Sequence, residues 1–181
     1  MTNKIRKLNL GCGKDIREGW ENLDCVALPG VNIVHDLNRL PLPLESGIYD
    51  EVACQDVLEH IEFIPLLKEI HRILVPGGKV RIQVPHFTSR NNYDDPTHRY
   101  RFSMTSFAYF TQNHSRGGYY FDFHFSEIKD VKVLFEKSKY LMYNYIIEWL
   151  FPLIPVPRFL YEGTFLRALF PAETLCVTLV K

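Results

Sequence analysis

The chain has 181 residues, 46% hydrophobic and 23% charged, which suits one domain with a substantial core and no need of disulfide staples. Its 21 basic and 21 acidic residues cancel, which argues against a general nucleic-acid binder carried by a basic surplus. No apolar run reaches the roughly 18 residues of a membrane span, and MTNKIRKLNLGCG contains no signal-peptide core. The four cysteines are scattered without a Cys-x-x-Cys pair, so free thiols in a reducing, cytoplasmic setting are expected.

In chain order, residues 7–10, 21–26, 31–35 and 49–54 read as strands, the third followed by the Pro-rich loop LPLPLESG. Residues 56–61 and 64–74 read as helical, with Leu66, Leu67, Ile70, Ile73 and Leu74 at helical spacing in the second. VPGG stops that helix, and residues 80–84 form the next strand. This order, without tight hairpin signals, predicts an α/β sheet of mostly parallel strands. Beyond it come a polar loop (85–101), a short helix (103–110) with Ser103 as N-cap, an alternating β-rich stretch (119–135) and a closing strand (174–180). The segment 140–171 is apolar on most sides and its prolines forbid a single helix. Two late strands separated by that insertion predict an antiparallel pair at one sheet edge.

The first strand runs into Gly11-Cys12-Gly13, and only seven residues separate this loop from the second strand. Ligands of open α/β sheets bind beyond the carboxyl ends of strands, where glycines let them approach the backbone. A dinucleotide fingerprint needs a third glycine where Ile16 stands, and a phosphate loop needs Ser or Thr where Asp15 follows Lys14. So short a link also offers no full helix N-terminus to a pyrophosphate. A tight turn without a ligand and a nucleoside site without phosphate both stay open. The acids favour the nucleoside. Asp24, near the end of the second strand, is placed to accept ribose hydroxyls. Asp36 follows the third strand with Leu37 beside it for a flat base, and Gln55 and Asp56 follow the fourth. The link is long enough: residues 11–20 extend to about 33 Å, against about 17 Å of strand and a spacing of about 4.8 Å. It leaves a sheet face bare, and Trp20, the 140–171 segment or a partner subunit is expected to cover it.

The motifs LNLGCG, NLDCV, HDLNRLPLPLESGIYDEVACQDVLEHI and EIHRILVPGGKVRIQVP resemble, in order, those of class I S-adenosylmethionine-dependent methyltransferases, above all the small type 11 group, over residues 7–85. DPTHRYRFSMTSF and YEGTFLRALFPAETLCVTLVK resemble small methyltransferases of cell-surface glycan or lipid-linked sugar pathways. The resemblance implies a Rossmann-like, seven-stranded, mostly parallel sheet with an antiparallel strand near one edge. It implies one methyltransferase domain over 1–181, with a cofactor-binding half (1–85) and an acceptor-side half (86–181), and S-adenosyl-L-methionine as cofactor. It places Leu10, Gly11, Cys12 and Gly13 behind the methionine part, Asp24 and Cys25 at the ribose, Asp36 and Leu37 at the adenine, and Gln55 and Asp56 at the sulfonium end. The abbreviated first crossover departs from the family, which usually has a full helix there.

A sulfonium methyl requires in-line alignment and exclusion of water, and a hydroxyl or amine acceptor must also lose a proton. His86, just past the strand at 80–84, and His98, with Asp94 and Asp95 nearby, are the expected catalytic residues; the other role open to them is tying down the loop. Arg90, Arg99 and Arg101 suit either an anionic acceptor or a solvated loop. Asp56, Glu59 and His60 would share one face of a helix, a spacing that resembles metal-using ubiquinone-pathway O-methyltransferases. Capping and internal hydrogen bonds are the commoner use of such residues, and no metal is expected. The expected acceptor is a small molecule, a sugar or lipid-linked glycan hydroxyl; the alternative is a catalytically inert cofactor-binding module. No nucleic-acid partner is expected. The 140–171 segment, with Trp149, Leu150, Phe151, Phe159, Leu160 and Phe165, is open to use as sheet cover, lid, membrane-surface element or homodimer surface. Arg158 and Arg167 are few for a lipid-binding polar face.

Overall fold

The computed structural model describes residues 5–112, 119–153 and 158–181, apart from the side chains of Arg158 and Phe159. Those two side chains, residues 1–4 and, within the 140–171 segment, residues 154–157 lie outside the description. Seven strands, β1 (Lys7–Leu10), β2 (Glu21–Asp24), β3 (Ile33–Val34), β4 (Tyr49–Gln55), β5 (Leu74–Pro85), β6 (Glu127–Phe135) and β7 (Ala172–Val180), form one sheet in the order β3-β2-β1-β4-β5-β7-β6. β7 is antiparallel to both of its neighbours, and the other pairings are parallel. Strand order reverses between β1 and β4, so the ends of these strands open the crevice where ligands of such sheets bind. The expected edge pair is β6 with β7, and the late insertion between them contains α3 (Asn144–Leu150), α4 (Arg158–Gly163) and α5 (Leu166–Leu169).

Only one face of the sheet is apolar. Val80, Ile82 and Val84 of β5 lie level with Leu179, Val177 and Leu175 of β7, and all six are buried. The helix α1 (Phe63–Ile73) buries Leu66, Leu67, Ile70 and Ile73 in the same core. Pro65 is tolerated there because the first helical turn has no intrahelical N–H bond to lose. Phe102, Phe107, Phe110, Phe123 and Phe125 complete this layer, with Phe63 edge-on to Phe102 at 5.2 Å. On the opposite face the alternate residues are polar: Arg81 lies beside Thr178, and Gln83 beside Cys176 and Gln55. Alternation of this kind marks a sheet with one packed and one wet face.

This arrangement corrects the expectation of an apolar cover. The 11–20 crossover contains no helix, as expected, and lies over β1 and β2. Asn9 and Asn22 sit level on the polar face and tie it down, Asn9 Nδ2 donating to the Asp15 carbonyl at 2.7 Å and Asn22 Oδ1 accepting from Arg17 N at 3.0 Å. Trp20 covers one corner beneath the Lys7 ammonium, 5.2 Å from its ring. Among the described residues, the α3–α5 insertion does not line the rest of this face. It packs through Phe151 and Tyr161 on Phe135, at the end of the apolar face. Beyond the crossover the polar face forms an open groove of about 540 Å3, which includes Arg17, Gln55, Arg81, Lys129 and Thr178. A polar face needs no apolar lid.

Local expectations differ in two further places. Residues 56–61 form turns and not a helix, because Asp56 has a φ of 51° and the chain turns sharply out of β4. Ser103 does not cap a helix: the 3-10 turn Ser106–Phe110 has Thr105 at its start, and Ser103 Oγ instead lies 3.2 Å from Ser106 Oγ. The single-turn α2 (Asn91–Asp94) interrupts the polar loop after β5.

Candidate active site

The Gly11-Cys12-Gly13 loop leaves β1 with φ values of 63° at Gly11 and 49° at Gly13, a region that L side chains avoid. Cys12 is buried and donates its N–H to Leu23 O at 3.0 Å. Asp24, the last residue of β2, is 9% exposed. Its Oδ2 accepts from Gly13 N at 2.8 Å and its Oδ1 from Val26 N at 2.9 Å. Burial by itself would raise this carboxyl, but the Val26 and Gly13 N–H groups, with help from Cys25, hold it below the usual range. Each oxygen keeps a lone pair for a further donor. A Cβ at Gly13 would meet nothing within 4 Å, so the loop borders open space at the mouth of the crevice. These features fit the methionine and ribose parts of S-adenosylmethionine.

The other cofactor candidates divide by where they point. Leu10 and Leu37 face the core, which leaves only the Leu37 edge for a base. Cys25 is exposed, and Asp36 is partly exposed with Oδ1 accepting from Asn38 N at 2.9 Å. Gln55 turns to the polar groove, where Arg17 Nη2 donates to its Oε1. Asp56 turns the other way, accepting from Gln83 Nε2 at 3.2 Å.

Asp56 also lines a second cleft of about 640 Å3, at the ends of β4 and β5. Its wall carries Glu59, His60, Asn91, Asp94, Asp95, His98, Glu173 and Thr174, and two prolines, Pro85 and Pro96, are its apolar contribution. Burial lifts the Asp56 carboxyl above its ordinary value, and burial with the nearby Asp56 and Asp95 charges raises Glu59 to about 7. Burial and the neighbouring His98 keep His60 below the ordinary imidazole range. The loop is fixed to β4 by Arg99 N, which donates to the Glu59 carbonyl at 2.7 Å.

Of the two expected catalytic histidines, His98 is on this wall and His86 is not. His86 is fully buried, with Nε2 donating to Glu162 Oε1 at 3.0 Å and Nδ1 2.7 Å from Thr88 Oγ1. It ties the strand end to α4. The arginines also point elsewhere: Arg90 pairs with Asp94 at 2.9 Å, Arg99 approaches Glu62 at 4.0 Å, and Arg101 lies over the Tyr93 ring at 4.8 Å. Sequence reasoning missed Arg17 beside Gln55, and Glu173 and Thr174 in the cleft. The last two were legible only through the pairing of β7 with β5, which sets Thr174 beside Pro85.

A family model described as a methyltransferase domain matches residues 20–82. An uncharacterized protein of Methanocaldococcus jannaschii is 43% identical over 47 residues, 26% of this chain and 21% of that protein, so the match spans about a fifth of the relative's length. Across its whole length the fold is similar to that of a SAM-dependent methyltransferase from Archaeoglobus fulgidus, with a TM-score of 0.60 at 19% identity over 99% of this chain and 87% of that one. It is also similar to phosphoethanolamine N-methyltransferase 2 of Haemonchus contortus in complex with S-adenosyl-L-methionine, with a TM-score of 0.55 at 16% identity over 100% of this chain and 49% of that one. Over residues 20–82 the chain matches the methyltransferase-domain family model, and its fold is that of class I S-adenosylmethionine-dependent methyltransferases. The cofactor of this class is S-adenosylmethionine.

Proposed function

We propose that the chain transfers a methyl group from S-adenosylmethionine to a hydroxyl of a small, polar, sugar-like acceptor held in the Asp56–His98 cleft. The supporting observation is the cleft wall, an almost unbroken set of carboxylate, amide, hydroxyl and imidazole groups matched to several hydroxyls. An anionic acceptor is disfavoured, since Arg90, Arg99 and Arg101 are not on the wall. The cleft carboxylates also favour a second reading, an amine acceptor.

When bound, S-adenosylmethionine supplies a methyl group already activated for transfer. Gly11 and Gly13 would back its methionine part, Asp24 its ribose hydroxyls, and Asp36 with the Leu37 edge its adenine. Asp56 stands between this loop and the cleft, so its turn sets the angle at which donor and acceptor meet. The acceptor proton leaves toward the wall that carries Glu59, His60 and His98. His86 acts at one remove, by holding the strand end. Residues 1–85 would thus serve the cofactor and 86–181 most of the acceptor. The exposed Tyr145, Ile146, Trp149 and Leu153 of the insertion favour a lipid-linked acceptor at a membrane surface, or pairing of two copies of the chain. Among the described residues no helix is long and apolar enough to cross a membrane. Four free cysteines fit the cytoplasm.

Thermal and urea unfolding with S-adenosylhomocysteine or NAD tests the cofactor. S-adenosylhomocysteine at about 100 times its Kd adds about 2.7 kcal/mol of stability. Stabilisation by NAD alone would overturn the reading. Cofactor binding without methyl transfer to any hydroxyl or amine acceptor supports the inert module.

A further inference from the structure

Glu59 is fully buried, and neither of its carboxylate oxygens has a hydrogen-bond partner. Leaving such a group unpaired in the interior is costly. Nδ1 of His98 is likewise buried and unpartnered. The His60 and His98 rings meet edge to face, with centroids 4.6 Å apart. One donor atom from each of Glu59, His60 and His98 lies within 4.8 Å of the others.

The surrounding hydrogen bonds decide which atoms carry protons. Thr97 Oγ1 gives its one proton to Asp95 Oδ1 at 2.6 Å. It therefore accepts from His60 Nδ1, 2.8 Å away, which leaves Nε2 of the neutral ring with its lone pair. Asp95 Oδ2 stands 3.8 Å from His98 Nε2 and favours the proton there, so His98 Nδ1 is the lone-pair nitrogen. The cluster thus brings together acceptors without a donor between them. Neither Glu59 oxygen nor His98 Nδ1 has a hydrogen-bond partner, and one ligand atom of each of the three residues lies within 4.8 Å of the others, a span that a shared ion bridges. Bonds of about 2.1 Å put tetrahedral ligands about 3.4 Å apart, so rotation of the two rings by about an ångström closes the site.

We propose that Glu59, His60 and His98 bind a divalent transition-metal ion on the wall of the acceptor cleft. Two imidazoles and one carboxylate select a borderline ion such as Zn2+ or Co2+ over Mg2+ or Ca2+, which prefer all-oxygen sites. Asp95 and Thr97 form the outer layer that fixes both rings, a common support for metal-bound histidines. The ligands are not three residues of one helix, since 56–61 is a turn; His98 comes from the loop after α2, pinned by the Arg99 bond to the Glu59 carbonyl. The cleft leaves the ion's remaining positions open, where it would polarise an acceptor oxygen. That use rests on the methyltransferase reading, but metal binding itself does not.

The test is titration of the chelator-stripped full chain with Co2+ alone, read by visible absorption, and with Zn2+ by competition. The expected result is saturation at one equivalent, with affinity at least tenfold weaker in Glu59→Gln and in His98→Ala, and about tenfold weaker in Asp95→Asn. S-adenosylhomocysteine binding in each variant reports folding; if a buried-site variant fails it, His60→Ala, at a half-buried position, decides in the same way. Absence of saturable binding, as when a water fills the gap, overturns the proposal. So does binding undiminished by every ligand substitution, which places the metal on other groups. S-adenosylhomocysteine binding without metal binding leaves the methyltransferase reading standing and ends only the metal site.

Discussion

A methyl group added at Gly11 would lie 2.4 Å from Val57 Cγ2, whereas one added at Gly13 would meet nothing within 4 Å. Both positions have positive φ, which costs an L residue about 1–2 kcal/mol. Gly11→Ala is therefore expected to lose more than about 2 kcal/mol, because Val57 must also move. Gly13→Ala is expected to lose only the backbone cost of about 1–2 kcal/mol, but to bind S-adenosylhomocysteine at least tenfold more weakly, since its Cβ projects into the crevice. Urea unfolding and a binding titration on both variants measure the difference; Gly13→Ala with native affinity would remove the loop from the cofactor site. The glycines and Asp24 were legible in the sequence because each role is set by the end of its own strand. His98 was legible as a candidate together with Asp95, which stands 3.8 Å from its Nε2, but the nearness of Glu59 was not. Glu59 is set near it by the bond from Arg99 N to the Glu59 carbonyl, which local spacing does not encode, whereas a helix over 56–61 would have set Asp56 beside Glu59. His86 looked equivalent to His98 from its place after a strand, yet a part-buried carboxylate from α4 claims it.

At the scale of the element, β5 and β7 carry the period-2 signal of a half-exposed sheet, in KVRIQV and TLCVTLV. That alternation marks a sheet with one packed and one wet face, which the expectation of an apolar cover over the bare face did not take into account. The two faces differ in what they contribute. Ile82 is 2% exposed among α1 and β7 side chains, so Ile82→Ala is expected to cost about 2–5 kcal/mol. Thr178 stands on the groove side of the same sheet, so Thr178→Ala is expected to stay within about 0.5 kcal/mol. Equal losses in urea unfolding would mean that another element covers the groove. The first four strands and the last were located to within a few residues, but β5 begins at Leu74 and runs through the VPGG read as a stop, and β6 occupies only Glu127–Phe135 of the stretch expected over 119–135.

At the scale of the molecule, the seven-stranded, mostly parallel sheet with an antiparallel strand near one edge followed from the family resemblance, while the place of the insertion did not. The 140–171 segment is too apolar for periodicity to tell which residues pack and which stay exposed. One of its anchors is the Glu162 carboxylate; another is Glu148, which accepts from Phe135 N at 3.0 Å. Glu162 Oε1 accepts from His86 Nε2 at 3.0 Å and from Met104 N at 2.7 Å, joining α4 to the end of β5 and to the aromatic layer. Nearby, Tyr161 Oη donates to Phe170 O at 2.7 Å and closes the insertion on itself. Removing the carboxylate strands one buried imidazole and one backbone N–H, at about 1–3 kcal/mol for each group left unpaired. Glu162→Ala is thus expected to lower stability by about 2–5 kcal/mol, and Glu162→Gln by less, since an amide oxygen in the place of Oε1 still accepts both bonds, without the charge. The cofactor loop hangs from β1 and β2 and shares no hydrogen bond with Glu162. S-adenosylhomocysteine affinity in folded Glu162→Ala should therefore match that of the native chain. A variant that keeps its stability but loses cofactor affinity would instead make the insertion part of the cofactor site, and the division between a cofactor half and an acceptor half would fall.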